Sequence, residues 1–310
     1  MVVSVIICTY NRSFLLQNLL QSFVECNTDI QDYEIIVVDN GSSDDTPFIV
    51  EKYKDNFKYF QYVYEKKQGL SYARNAGVYV ARSDYVAFVD DDCLIAEGWL
   101  DRAVEIINRV SPDVFGGDIL PFYIGEKPVW YQDKYALLSV SDKESPLPEG
   151  QYVMGGNMFF RKSVILTLGG FDPNLGMSGG NINYGEETAL QIKLRQKYNE
   201  GVIYYDPKLV VKHLVRSEKM TFSWLIRSSF SKGRDNIRIK ISSDKAEKIN
   251  NLFMLFFNFA KSVVAIIFHI IYATLFRNKM RYPFFMNYFY EKTLCHFWKI
   301  GNVWQLMQSS

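Results

Sequence analysis

A chain of 310 residues that is 48% hydrophobic can bury one large core, or one core and an appendage. Its net charge of +1 conceals an asymmetry: residues 1–207 carry 18 Lys/Arg against 29 Asp/Glu, a net of −11, and residues 208–310 carry 17 against 5, a net of +12. A basic, aromatic-rich tail on an acidic body implies an anionic partner surface; the tail has no zinc-finger spacing or other nucleic-acid motif, so membrane is favoured and nucleic acid set aside.

Val2–Cys8 reads as a strand that ends in the polar turn Thr9-Tyr10-Asn11-Arg12. It lacks the basic flank of a signal peptide, so the acidic body is expected to stay cytoplasmic. The cysteines Cys8, Cys26, Cys93 and Cys295 show no paired spacing and read as thiols of a reducing compartment. A helix follows over Phe14–Glu25, with Leu15, Leu19 and Phe23 on one face. Glu34–Val38 is a second strand, and Thr46-Pro47 opens a second helix, proline being tolerated in a first turn. Tyr59–Val63 is a strand, Leu70–Ala81 a helix, and Tyr85–Val89 a strand. Trp99–Arg109 is a helix burying Leu100, Val104 and Ile107. Strands alternating with helices predict a mainly parallel sheet with right-handed crossovers, whose ligands sit beyond the carboxyl ends of the strands.

Three polar clusters fall at those ends: Thr9–Arg12, then Asp39-Asn40-Gly41-Ser42-Ser43, then Asp90-Asp91-Asp92. Asp39 and Asn40 taken singly are ordinary caps and turn formers. Three clusters on one edge favour binding. An acidic trio after the apolar run Tyr85–Val89 concentrates negative charge where it is costly, and a hard divalent cation is the usual compensation. A solvated acidic turn is the alternative for the trio alone.

Residues 111–184 are less regular. Gly116-Gly117, Gly155-Gly156, Gly169-Gly170 and Gly179-Gly180 either let backbone approach a ligand closely or mark turns, with turns the default, and Met177–Asn183 reads as a loop able to close over a ligand. Trp130, Tyr131 and Tyr135 read as core, with an acceptor platform as the other option. A helix starts near Gly185-Glu186-Glu187, with Ala189, Leu190, Leu194 and Tyr198 inward. Two acids there suit the helix dipole, or one of them serves as a general base.

The tail is basic over residues 208–248, with 11 Lys/Arg against 4 Asp/Glu, and Leu252–Phe276 then supplies 25 mainly apolar residues, long enough to cross a bilayer. Asn258, Lys261, His269 and Tyr272 follow one narrow helical stripe. A lysine within a span is costly, so the segment is expected to lie in the interface or to pack with a second one, Phe284–Trp298. Arg277, Lys279 and Arg281 between them suit anionic headgroups. A soluble helical subdomain is the competing reading.

Five blocks taken together resemble the family 2 inverting glycosyltransferases. They are Ser4–Arg12, Glu34–Thr46, Gly69-Leu70-Ser71-Tyr72-Ala73-Arg74-Asn75-Ala76-Gly77, Phe88–Asp92 and Gly185-Glu186-Glu187. The resemblance implies an α/β fold of GT-A type, Rossmann-like and mixed, with a mainly parallel sheet flanked by helices. The catalytic domain would cover 1–215, followed by a helical, membrane-associated extension over 216–310. It implies a nucleotide-sugar donor, UDP- or dTDP-linked in preference, and a divalent cation, Mg²⁺ or Mn²⁺. The acceptor would be a polysaccharide or lipid-linked glycan at the cytoplasmic face of a membrane. Thr9, Tyr10 and Arg12 would line the nucleotide pocket and Asp39 accept the base's ring N–H. Ala73, Arg74 and Asn75 would lie near the pyrophosphate, and Asp90 and Asp92 form the metal pair. His213 would approach the metal, although a lone histidine is more often structural. Glu187 would be the base beside Glu186, a departure from the commoner Glu-Asp pair. Two alternatives stand beside this reading. A nucleotidyltransferase would show a glycine-rich basic loop after the first strand, and a non-catalytic binding module would lack turnover.

Overall fold

The computed structural model describes residues 1–26, 28, 32–198, 203–243 and 252–309, and these form two compact units. The first comprises residues 1–122, 136–174 and 186–214. In chain order its elements are β1 (Val3–Thr9), α1 (Ser13–Glu25), β2 (Tyr33–Asp39), α2 (Thr46–Tyr53), β3 (Phe60–Tyr64), α3 (Leu70–Val80), β4 (Tyr85–Asp90), β5 (Cys93–Ile95) and α4 (Trp99–Val110). They continue with β6 (Val114–Phe122), β7 (Ser145–Pro146), β8 (Asn157–Arg161), α5 (Lys162–Thr167), α6 (Glu186–Lys197) and β9 (Ile203–Leu214).

The sheet runs β3-β2-β1-β4-β8-β6-β9-β5, with β7 on β9. The first four strands pair in parallel; β1, β2 and β4 are apolar runs buried on both faces, and β3 is a partly exposed edge strand. The later part of the sheet is mixed: β8 is antiparallel to β4 and β6, and β5 to β9, while β6 and β9 are parallel. Alternation along β1 divides the core. Val3, Val5 and Ile7 pack with Leu16, Leu19, Leu20 and Phe23 of α1 and with Trp99 and Leu100 of α4. Ile6 points the other way, among Ala73 and Val78 of α3 and Leu190 and Leu194 of α6. Each fully buried Leu or Ile contributes about 1.5–3 kcal/mol.

The expected elements through α4 form within a residue of their sequence limits, but two faces differ. α1 buries Leu16 and Leu20, leaving Leu15 half-buried, because two facing layers widen the stripe beyond a single row. Tyr198 lies past the end of α6 and is exposed, since the helix stops at Lys197.

Gly117 sits where the β6–β9 register shifts, and a Cβ there would meet Leu209 O at 2.0 Å and Asp206 O at 2.4 Å. Backbone cannot yield as a side chain can. Gly117→Ala should therefore cost about 2 kcal/mol or more in a denaturant titration. An unchanged midpoint would mean that the two strands are not so closely apposed.

The second unit comprises residues 123–135, 175–185 and 215–310. Its helices are α7 (Phe222–Ser242), α8 (Leu252–Leu275), α9 (Phe285–Tyr288) and α10 (Leu294–Ser309), with a π-helical turn over Phe289–Thr293 before α10. The expected segment Phe284–Trp298 is helical throughout from Phe285, with that π-turn inside it, and the helix runs on to Ser309. α7 and α10 touch through glycines: a Cβ on Gly233 would lie 1.9 Å from Trp298 O, and one on Gly301 2.1 Å from Phe230 O.

The segment 123–135 is built into this unit. Asn287 Nδ2 donates to Trp130 O at 2.6 Å, and the Tyr135 and Tyr290 rings stack at 4.0 Å. Trp130, Tyr131 and Tyr135 are therefore packing groups here. The stretch Met177–Asn183 includes a turn closed by Asn181 N–H to Ser178 O, and Arg234 donates to Ile182 O and Asn183 Oδ1.

α8 packs through Leu255, Ser262 and Ala273, with His269 Nδ1 and Tyr288 Oη 2.8 Å apart. His269 thus belongs to the packed side of the helix, while Asn258 and Lys261 are exposed. Phe253, Phe257, Val264, Phe268 and Leu275 are 60–81% exposed, and Phe253–Leu275 is long and apolar enough to cross a membrane.

Candidate active site

Parallel register brings the polar clusters together. Thr9 is paired with Asp39 and Cys8 with Asp90, so the ends of β1, β2 and β4 share one edge. Asp91-Asp92 turn the chain from β4 into β5, and β5 pairs antiparallel with β9, Cys93 opposite His213. The Leu214 N–H donates to Asp92 O at 2.9 Å, which holds that pairing against the acidic turn. His213 Nε2 consequently lies 3.1 Å from Asp92 Oδ1. The donor atoms of Asp90, Asp92 and His213 all fall within 4.8 Å of one another. Two carboxylates and an imidazole so gathered fit a hard or borderline divalent cation.

Asp91, the middle acid, is oriented differently. It is buried and accepts from Thr9 Oγ1 at 2.8 Å and from Arg12 Nη1 at 2.9 Å. Burial pushes its carboxyl up to about 6, with Arg12 opposing and the Asp92 charge adding to the rise. Thr9 and Arg12 thus brace the acidic turn, with Arg12 also 3.9 Å from Asp92. Tyr10 beside them is half-buried. The turn is further tied to the loop after β2: Asn11 N–H donates to Ser42 Oγ at 2.9 Å and Ser43 N–H to Asn11 Oδ1 at 2.7 Å.

Asp39 is buried at the end of β2, one oxygen accepting from Ser42 N–H and the other from Tyr62 Oη. An ionised carboxylate has about four acceptor positions, so capacity remains for one more donor. Tyr62 is a contact that hydrophobic patterning did not single out; burial and Asp39 both hold its phenol above the ordinary range.

α3 supplies the link to the acid pair. Arg74 is only 3% exposed, its Nη1 2.6 Å from Glu186 Oε1 and its Nη2 3.6 Å from Asp90 Oδ1. Its guanidinium lies 5.5 Å from the ring centroids of both Phe88 and Phe171. Ala73 is wholly buried core, and the Asn75 side chain bonds both ways to the Phe171 backbone, donating to O and accepting from N–H at 2.9 Å each. The Ala73–Asn75 block therefore has packing partners within the fold rather than an open face. Glu186 is buried and Glu187 half-buried at the start of α6. Burial pushes the Glu187 carboxyl well above its usual range, Glu186 adds to the rise, and Arg74 opposes it.

Gly155 and Gly156 form a turn, as their pattern predicts, and the turn also serves the site. A Cβ on Gly155 would sit 2.8 Å from Arg74 Nη2, and one on Gly156 2.9 Å from Asp90 Oδ2. The pair leaves room for the charged network, and a glycine doublet is the only signal the sequence offered. Burial raises the Cys8 thiol to about 12, which leaves it un-ionised.

The model of the family described as "Glycosyl transferase family 2" matches residues 4–169, more than half of the chain. The chain belongs to this family. As a glycosyltransferase it leaves the nucleotidyltransferase alternative without support. It is 26% identical over 271 residues to the glucosyl-dolichyl phosphate glucuronosyltransferase of Haloferax volcanii, covering 83% of this chain and 84% of that one. It is 30% identical over 226 residues to the GalNAc(5)-diNAcBac-PP-undecaprenol beta-1,3-glucosyltransferase of Campylobacter jejuni, covering 70% and 66%. Among solved structures, S. aureus TarS 1–349 in complex with UDP superposes with a TM-score of 0.55 at 18% identity, covering 100% of this chain and 92% of that one. The mannosyltransferase PcManGT from Pyrobaculum calidifontis, in complex with GDP-Man and Mn²⁺, gives 0.56 at 17% identity, covering 99% and 74%. At such identities the likeness is one of fold, and it is the GT-A fold.

Proposed function

We propose that this glycosyltransferase moves a sugar from a nucleoside-diphosphate donor to a hydroxyl of a lipid-linked or polysaccharide acceptor, with inversion at the anomeric carbon. The observation that carries the reading is Arg74, whose guanidinium lies between Asp90 and Glu186 and so joins the acidic cluster and the acid pair in one network. Asp90, Asp92 and His213 hold a divalent cation. When bound there, Mg²⁺ or Mn²⁺ offers positive charge to the diphosphate leaving group.

Glu187 accepts the proton of the acceptor hydroxyl while the new C–O bond forms and the nucleoside diphosphate departs. One displacement inverts the configuration. A raised pKa suits that role, because a base near the working pH is both ionised and strong enough. Glu186 pairs with Arg74, which leaves Glu187 as the basic member of the pair. Thr9, Tyr10 and Arg12 line the nucleotide pocket, and Asp39 accepts the imide N–H of a uracil or thymine. Arg74 acts as a positioning residue for Asp90 and Glu186, with Ala73 and Asn75 keeping α3 in place beside the pyrophosphate.

The catalytic domain covers 1–215. The region 216–310 holds the enzyme at the cytoplasmic face of a membrane, with the exposed face of α8 in the interface and Arg277, Lys279 and Arg281 at the headgroups. Dolichyl and undecaprenyl names among the relatives favour a polyprenyl-linked acceptor.

A thermal-shift screen of UDP, dTDP, GDP and CDP, each with and without Mn²⁺, tests the donor half. One diphosphate should stabilise the protein by about 5 °C at a hundredfold excess over Kd, and only with the metal. Absence of a shift with all four would refute the nucleotide site.

A further inference from the structure

The second unit contains a cavity of about 330 Å³ on the arginine-bearing face of α7. Arg227, Phe230, Ser231 and Arg234 line it at intervals of three, four and seven residues, so they share one side of the helix. Asn181, Ile182, Ile226 and Phe297 complete the wall. The lining sets two guanidiniums and two small polar groups beside two phenyl rings and two isoleucines.

The local charge is also uncompensated. Buried Asp235 is the carboxylate on this stretch of α7, and it is bonded by both Arg234 and Arg238 while also accepting the Tyr184 N–H. Arg227 has no hydrogen bond or ion pair among the described residues. Arg234 and Arg238 thus share one carboxylate while Arg227, on the cavity wall, has none among the described residues, and an anion would be its partner. Guanidinium forks suit phosphate oxygens in geometry as well as charge. A volume at the lower end of ligand sites suits a headgroup and the first carbons of a chain better than a whole lipid. The exposed apolar face of α8 belongs to the same unit.

We infer that this cavity takes the phosphate head of a polyprenyl-linked acceptor, with Arg227 and Arg234 on the phosphate oxygens and Phe230 and Phe297 against the first isoprene units. The inference rests on the lipid-linked acceptor proposed above and gives that acceptor a residue-level site. Arg227 is the discriminating position. It is exposed, so its replacement leaves the packing of α7 intact. Arg234 also holds Ile182 and Asn183, so its loss would confound binding with local structure.

The test is calorimetric titration of the full-length protein in non-ionic detergent with farnesyl phosphate, farnesol and inorganic phosphate. Farnesyl phosphate should bind at least tenfold more tightly than either of the others. Arg227→Gln should weaken it by about tenfold or more, the effect of losing a charge-assisted hydrogen bond. Inorganic phosphate binding as tightly as farnesyl phosphate would overturn the lipid assignment in favour of a free-anion site. Farnesol binding as tightly would reduce the cavity to an apolar sink. Equal, tight binding by wild type and Arg227→Gln would remove the cavity from acceptor recognition while sparing the lipid-linked acceptor. No binding by either protein would overturn both readings. Stabilisation by a nucleoside diphosphate with Mn²⁺, measured on the same samples, reports separately on the donor site.

Discussion

Replacing Glu187 by glutamine should lower sugar transfer by about 10²- to 10⁴-fold while leaving donor binding intact, because the amide keeps the shape and loses the proton acceptor. The pH dependence adds a second readout. Burial and the Glu186 charge raise Glu187, so the acidic limb of the rate profile should lie above the ordinary carboxylate range. Glu186→Gln removes the raising charge while Arg74 stays, and that limb should move to lower pH.

Stability should move in the opposite direction to activity. A carboxyl whose folded pKa is raised stabilises the fold below its unfolded pKa, and that contribution disappears as pH rises through the folded value. Glutamine never ionises. Glu187→Gln should therefore gain in melting temperature relative to wild type as pH rises above the ordinary carboxylate value. Undiminished turnover would take the base role away from Glu187. A melting difference that is flat with pH would refute the raised pKa.

The second large effect belongs to the acidic turn. Asp92→Ala removes a carboxylate that lies 3.1 Å from His213 and within reach of Asp90. Stabilisation by diphosphate with Mn²⁺ should vanish, a loss of about 2.7 kcal/mol at a hundredfold excess of ligand. Transfer should fall with it. The fold should survive, since Asp92 belongs to the turn and the core clusters are built from other residues. His213→Ala should weaken metal-dependent stabilisation less, because two carboxylates remain. A full diphosphate response in Asp92→Ala would show that the cation, if required, is held elsewhere.

Much of the first unit was legible because its strands announce themselves. Val/Ile runs such as Val3–Ile7 and Glu34–Val38 are covered on both faces, so hydrophobicity alone locates them, and the polar residues after each run must fall at the carboxyl edge. That reasoning placed Thr9, Asp39 and Asp90 together before any register was known. Helix faces were less legible. α1 buries Leu16 and Leu20 as well as Leu19 and Phe23, and periodicity does not tell how wide a stripe the neighbouring layers will cover. In the second half of the sheet only the β-like run before His213, part of β9, was readable. β6, β8 and β9 pair across separations of tens of residues, which no local pattern records.

The roles within the site divide along the same line. Residue type and spacing alone placed a polar first loop, the Asp39–Ser43 loop and an acidic turn on a parallel-sheet edge, and an acid pair at a helix start, because those properties follow from local chemistry. Tertiary structure decided which acid meets which partner. Asp91, identical in type to its neighbours, points inward to Thr9 and Arg12, and Asp92 meets a histidine carried by β9. Arg74, which by composition could have stood open to phosphate, is buried against Glu186 beside two phenyl rings. Gly155 and Gly156 are required by the side chains that approach them. Sequence carries the chemistry of each group, whereas burial, partner and pKa come from what the fold brings within a few ångströms, and those contacts are long-range.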